Sequence, residues 1–282
     1  MKEVIIKNVI LGSGIPKICV PVTGRTEEEI FFQARRAAQE KPDLLEWRAD
    51  AWEGLKGTDI RRPWKDQAGE ENGKRSEQAG NTAESMAEIL KGLRDILGQI
   101  PIIFTVRTDR EGGMWHGSTN HYVNILLEAS KCPEADLVDV ELFGDVPRMR
   151  ELIPRIQAEG KKVIASNHHF SETPASQVMK TILDEMEEAG ADIRKLAVMP
   201  ASPEDVLRLL EVTRQASEEE KAPVITMSMG SLGAVSRVCG QVFGSCVTFG
   251  TVGQASAPGQ LELSALRRIL RALQPASPEP ES

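Results

Sequence analysis

Asp192-Ile193-Arg194-Lys195-Leu196-Ala197-Val198-Met199-Pro200 is the stretch from which the rest of the 282-residue chain can be read. A helix-like segment ending at Gly190 precedes it, and Ser202-Pro203 follows as the N-cap and first-turn proline of another helix. Side chains alternate along a strand, so Lys195, Ala197 and Met199 share one face, and Leu196 and Val198 the other. Both faces are apolar, the pattern of a parallel strand covered on two sides. A lysine inside such a strand is costly to bury charged. Desolvation favours a neutral amine, and a neutral amine attacks carbonyls. The ordinary alternative is a lysine whose ammonium reaches solvent at a strand end.

Working outward, the same strand-then-helix unit recurs. Residues 3–11 alternate loosely ahead of Gly12-Ser13-Gly14 and predict a small β-hairpin. Buried strands are expected at 17–22, 43–50, 102–107, 137–141, 162–168, the Lys195 stretch, 222–229 and 244–250. Apolar residues at helical spacing lie between them, as in Ile30, Phe31, Ala34, Ala37 and Ala38 behind a Thr26-to-Glu29 capping box. Met86 to Leu97 mark a second helix, and Thr173-Pro174 reads as the cap of the fifth. Residues 231–240 read as a short seventh helix. Eight strands alternating with eight helices predict one α/β domain over 1–282, a (β/α)8 TIM barrel with an N-terminal β-hairpin. Two stretches do not fit. Residues 57–82 are polar and glycine-rich and read as a disordered insertion, and residues 275–282 as a disordered tail.

Composition narrows the function classes. Forty-two acidic against 34 basic residues give a net charge of −8 without a long basic run, which argues against nucleic acid as a partner. No segment approaches the ~20 apolar residues of a membrane helix. The N-terminal MKEVIIKNVI carries charges inside a short apolar run, unlike a signal peptide. Cys19, Cys132, Cys239 and Cys246 have no metal-ligand spacing and suit a reducing compartment. A cytoplasmic protein is expected.

Barrel sites lie at the C-terminal ends of the strands. Here those ends carry Glu46 and Arg48, Arg107 followed by Glu111, Asp139 and Glu141, His168, Lys195, Arg237, and the loop 253–260 with Ser256 and Gln260. Each has a structural explanation alone: an ion pair for Glu46 and Arg48, a satisfied core histidine for His168, rim charges for Arg107 and Glu111. Their convergence on one end of one barrel costs stability and marks a site. No metal-ligand set or dinucleotide fingerprint appears, so no cofactor is expected. A buried lysine suggests an imine with a ketone, which acidifies the adjacent C–H for His168 to deprotonate. The arginines suggest a carboxylate substrate.

These motifs resemble type I 3-dehydroquinate dehydratase, the Schiff-base enzyme of the shikimate pathway. The matching segments are EWRAD from Glu46, TVRTDREGG from Thr105, DVEL from Asp139, SNHHF and TP between Ser166 and Pro174, KLAVMP from Lys195, MSMGSLGAVSR ending at Arg237, and TFG with ASAPGQ ending at Gln260. The resemblance implies a (β/α)8 barrel, commonly a homodimer, acting without cofactor on 3-dehydroquinate. It implies that Lys195 forms the imine, and that His168 moves the proton. Glu111, assisted by Asp139, would orient His168. Arg237 with Ser256 and Gln260 would hold the substrate carboxylate, while Glu46, Arg48 and Arg107 hold the ring hydroxyls. His169 stands where the family often has aspartate and should point away from His168. The insertion over 57–82 is absent from compact members. Two other readings remain: a class I Schiff-base aldolase, and a non-catalytic binder of quinate-like acids.

Overall fold

The structure, a computed structural model, describes residues 1–55, 74–142, 146–253 and 256–274, with the side chains of 74–81 excepted. The hairpin consists of β1 (Val4–Ile6) and β2 (Val9–Leu11), paired antiparallel. Eight parallel strands follow: β3 (Lys17–Val22), β4 (Leu44–Arg48), β5 (Ile102–Thr105), β6 (Leu137–Glu141), β7 (Lys162–His169), β8 (Ile193–Val198), β9 (Val224–Ser228) and β10 (Val247–Thr251). Each pairs with the next through β9, and β10 returns to pair with β3. The ring closes between β9 and β10, where the Cys246 N–H donates to the Val224 carbonyl at 2.9 Å. A short β11 (Leu261–Glu262) lies beside the end of β10. This is the expected (β/α)8 barrel with its hairpin.

The helices are α1 (Glu27–Gln39), α2 (Lys74–Leu97), α3 (Thr119–Lys131), α4 (Val146–Ala158), α5 (Ser176–Glu188), α6 (Pro203–Glu218), α7 (Gly240–Phe243) and α8 (Leu263–Ala272). Outward strand residues such as Leu45, Trp47, Phe104, Val138, Val163 and Leu196 pack with helix residues such as Ile30, Ala34, Leu90, Leu126, Ile153 and Leu183 in one buried layer. Period-two alternation thus meets the apolar stripe of each helix.

Inside the barrel the composition changes with height. Cys19, Leu44, Ile103, Leu137, Ile164, Ile193, Ile225 and Val247 form an apolar floor, sealed by Val4, Ile6, Val9 and Leu11 of the hairpin. Each such buried aliphatic side chain contributes roughly 1.5–3 kcal/mol. Two residues further along five of these strands the inward positions become Glu46, Thr105, Asp139, Ser166 and Lys195, all buried. Two further still lie Arg48, Arg107, Glu141, His168 and Ala197. The pleat therefore delivers two polar layers above an apolar one.

Four local expectations are corrected. The polar stretch 57–82 falls outside the described residues up to 73, but its last part is helix: α2 begins at Lys74 and buries Thr82. Good helix formers such as Lys, Arg, Glu, Gln and Ala extend it without an apolar stripe. The tail 275–282 lies outside the described residues. Thr26 caps α1 by accepting from the Glu29 N–H, but the Glu29 carboxylate accepts from the Arg25 N–H at 2.8 Å, one residue before the cap. Thr173 does not cap α5, whose N-cap is Ala175; its hydroxyl instead donates to the Met199 carbonyl at 3.0 Å, tying two strand ends together. The seventh helix divides into a 3-10 turn over Ala234–Arg237 and α7.

Candidate active site

The lower polar layer is built around Lys195. Its Nζ donates to Asp139 Oδ2 at 3.1 Å and lies 3.6 Å from Glu46 Oε1. The ammonium position is 4.8 Å from the centroid of the Phe249 ring. Asp139 also accepts from Ser166 Oγ at 2.6 Å and pairs with Arg107 at 2.9 Å. Burial pushes the Asp139 carboxyl up, but Arg107 and Lys195 outweigh it and hold it below the ordinary value. Glu46 accepts from Thr105 Oγ1 at 3.0 Å.

The upper layer is built around Arg107, a buried guanidinium bonded to Asp139, to Glu141 at 2.9 Å, to Ser166 at 2.9 Å, and more distantly to Glu111 at 3.4 Å. Burial alone would weaken its charge; Asp139, Glu141 and Glu111 together raise its pKa well above the ordinary value. Glu141 also accepts from the backbone N–H and the hydroxyl of Thr108. That anchors the turn Asp109–Glu111, from which Glu111 reaches His168 Nδ1 at 2.7 Å. Burial, then the charges of Arg107, Lys195 and Arg48, push the His168 imidazole well below its ordinary pKa. Burial and Glu141 push Glu111 well above its own, against the pull of Arg107. Both shifts weigh against an imidazolium–carboxylate ion pair between the two.

Arg237 completes the mouth. It is 2% exposed, and one terminal nitrogen donates to the Pro258 carbonyl at 2.9 Å. Its Nε has no partner, and among the described residues no carboxylate forms an ion pair with it. Burial without a counter-anion pushes its pKa down to about 10. Beside it, Gln260 accepts from the Ser256 N–H at 2.8 Å and donates to Ser256 Oγ at 3.0 Å. Gly259 has φ +76°, and a Cβ there would meet the Gly230 carbonyl at 2.2 Å, so it serves a close backbone approach.

A cavity of about 210 Å³ opens here, lined by Glu46, Arg48, Arg107, Glu111, His168, Lys195, Arg237, Ser256 and Gln260 together with Phe170, Met227, Met229 and Phe249. Nine of the ten residues given a role from the sequence thus face one space, and the tenth, Asp139, lies against Lys195. Two contacts add detail to these expectations. Glu111 bonds His168 directly, while Asp139, expected to assist Glu111, bonds Lys195 and Arg107. Arg48 is already held by Asp50 through paired contacts at 2.8 Å, and that pairing outweighs burial to keep it charged. His169 lines a separate groove with Val178 and Ile182, away from His168, as alternation requires. The sequence reading missed Ser166, Asp50 and Phe170 as members of the site. Ser166 and Phe170 share the pleat column of His168, and that spacing was the available signal.

The geometry suits covalent chemistry on a ketone bearing a carboxylate, and the chain's relatives agree. Its residues 18–277 match the family model for Type I 3-dehydroquinase. It is 39% identical over 270 residues to the 3-dehydroquinate dehydratase of Listeria monocytogenes, covering 96% of this chain and 97% of that protein. Similarity to the Klebsiella pneumoniae 3-dehydroquinate dehydratase is 38% over 271 residues, or 95% and 97% of the two chains. Among solved structures, that of the Geobacillus kaustophilus 3-dehydroquinate dehydratase superposes with a TM-score of 0.85 at 35% identity, covering 98% of both chains. The type I 3-dehydroquinate dehydratase of Clostridium difficile with covalent modified comenic acid gives 0.83 at 36%, covering 97% and 98%. These matches set aside the aldolase and the non-catalytic binder: the chain belongs to the type I 3-dehydroquinase family, hydro-lyases that dehydrate 3-dehydroquinate in the shikimate pathway through a Schiff base.

Proposed function

We propose that Lys195 is the imine-forming residue and His168 the proton carrier of this dehydration. The carrying observation is that β7 and β8 present His168 and Lys195 to the same cavity from adjacent strands. The Lys195 amine adds to the C3 carbonyl and water leaves, giving an iminium. The iminium draws electrons from the C2–H bond, and His168 Nε2 takes that proton. As it does so, the proton on Nδ1 can pass to Glu111, whose raised pKa makes it a ready acceptor, so no buried imidazolium need persist. Collapse of the resulting enamine expels the C1 hydroxyl, which His168 protonates as it leaves as water. Hydrolysis of the imine then frees 3-dehydroshikimate and Lys195.

The remaining roles follow from charge and position. Asp139, bonded to Lys195, holds the amine and receives or returns its protons. Arg237 takes the substrate carboxylate, with Ser256 and Gln260 beside it. Glu46, Arg48 and Arg107 border the space for the ring hydroxyls. By resemblance, the molecule works as one barrel domain, as a homodimer in the cytoplasm. Among the described residues no helix is long and apolar enough to cross a membrane.

The test is borohydride reduction in the presence of substrate. The peptide containing Lys195 should gain the mass of the reduced adduct. Label on another lysine, or no label, overturns the assignment.

A further inference from the structure

Phe170 follows the end of β7 and stands two residues beyond His168, in the same pleat column. Its ring lies 6.4 Å from the His168 ring, centroid to centroid, at an interplanar angle of 22°, an offset stack. Phe170 is 39% exposed, whereas the His168 side chain is 9% exposed. The phenyl ring is therefore the layer between the imidazole and solvent. The ring also abuts Gly112, the residue after Glu111. A Cβ on Gly112 would come within 2.4 Å of the Phe170 ring, and the φ of +76° there independently favours glycine. The turn that carries Glu111 and the strand that carries His168 are thus locked together through one aromatic ring.

We propose that Phe170 is a positioning residue for catalysis, its ring fixing the imidazole plane of His168 and excluding water from the His168–Glu111 pair. This rests on the reading of His168 as proton carrier. The charged groups that line the cavity with the imidazole matter more once water is excluded: Glu111 from the turn after β5, Arg107 just past β5, Lys195 from β8, Glu46 and Arg48 from β4, and Arg237 after β9, while His169 acts through its charge from the other side of β7. Bulk water at this spot would stabilise the imidazolium and screen these neighbours. A ring that only lined the cavity would alter substrate affinity and leave the titration of His168 unchanged.

The experiment uses the full-length enzyme with Phe170→Ala, Phe170→Leu and Phe170→Tyr. The first readout is the NMR titration of the His168 imidazole in free enzyme. It needs no turnover, so it separates failure of this proposal from failure of the catalytic assignment. Phe170→Ala should move the His168 titration upward by about one pH unit toward its ordinary value. The acid limb of kcat/KM should move with it, giving roughly a tenfold loss relative to wild type per unit of displacement at pH values below the limb. Phe170→Tyr, which keeps the ring, should restore both. Phe170→Leu should give an intermediate shift, and it carries the test if the alanine variant does not fold. An unchanged His168 titration in Phe170→Ala or Phe170→Leu, a change confined to KM, or failure of Phe170→Tyr to rescue would each overturn the proposal.

Discussion

Replacing Arg237 by lysine isolates what the guanidinium does for the substrate. The native side chain is buried, donates to one carbonyl, and keeps an unpartnered Nε with no carboxylate in ion-pair reach among the described residues. A pKa of about 10 still leaves it charged at pH 7, a desolvated cation waiting for an anion. Lysine keeps the charge but cannot form the planar paired contact, and it loses the hold on Pro258. One charge-assisted hydrogen bond is worth ~1.5–3 kcal/mol. At 1.36 kcal/mol per decade, KM should rise roughly 10- to 150-fold. The contact is to the substrate carboxylate and not to the proton that His168 moves, so kcat should change far less. Steady-state turnover followed through the ultraviolet absorbance of the conjugated enone product measures both constants. A KM within twofold of wild type, or an equal loss in kcat at unchanged KM, would refute the carboxylate assignment.

His168→Ala should lose ~10²–10⁴-fold in turnover while still forming the Lys195 adduct, and His169→Ala should keep most activity; equal losses would mean that the strand faces are misread. Because burial and neighbouring cations depress the His168 pKa below 6.5, kcat/KM should hold its neutral value down to pH 6.5, where an ordinary histidine would be half protonated. The same depression makes the neutral imidazole a stabilising feature above pH 6.5, progressively lost on acidification, so urea midpoints of wild type should fall below that pH more steeply than those of His168→Ala. Arg194, fully buried on the helix-facing side of β8, donates to the Ala216 and Ala222 carbonyls. Arg194→Met should cost about 1–3 kcal/mol for each carbonyl left without a donor, read as a lower melting temperature with kcat per folded molecule unchanged.

Strand 192–200 illustrates what a sequence reveals and what it conceals. Alternation alone put Lys195 and Ala197 on the inner face, and the same rule put Glu46, Asp139 and His168 beside them. That part was legible because a pleat converts spacing directly into direction. Arg194 was not legible, since its partners are backbone carbonyls more than 20 residues away, and no side-chain pattern records them. Asp139 shows the same limit. Its inward direction was readable, but the choice of Lys195 over the His168 pair depends on how far neighbouring strands are staggered. The start of α2 at Lys74 escaped for another reason: a helix end built on propensity carries no apolar stripe to count.

The hairpin floor sets the order in which the molecule can be finished. Val4, Ile6, Val9 and Leu11 are made roughly 200 residues before burial partners such as Ile225 and Val247, and the Lys2 N–H donates to the Lys221 carbonyl. At ~5–20 residues per second, the ribosome needs roughly 10–45 s to deliver position 221 after position 2. Throughout that interval the apolar residues of β1 and β2 lack their partners, and a two-stranded ribbon alone is too small to be stable. The base of the barrel is therefore assembled only after β9 and β10 are made, from residues made well before them, and closure of the ring and seating of its plug are coupled in time. A chain stalled before β9 would display the hairpin's apolar side to whatever binds nascent polypeptides.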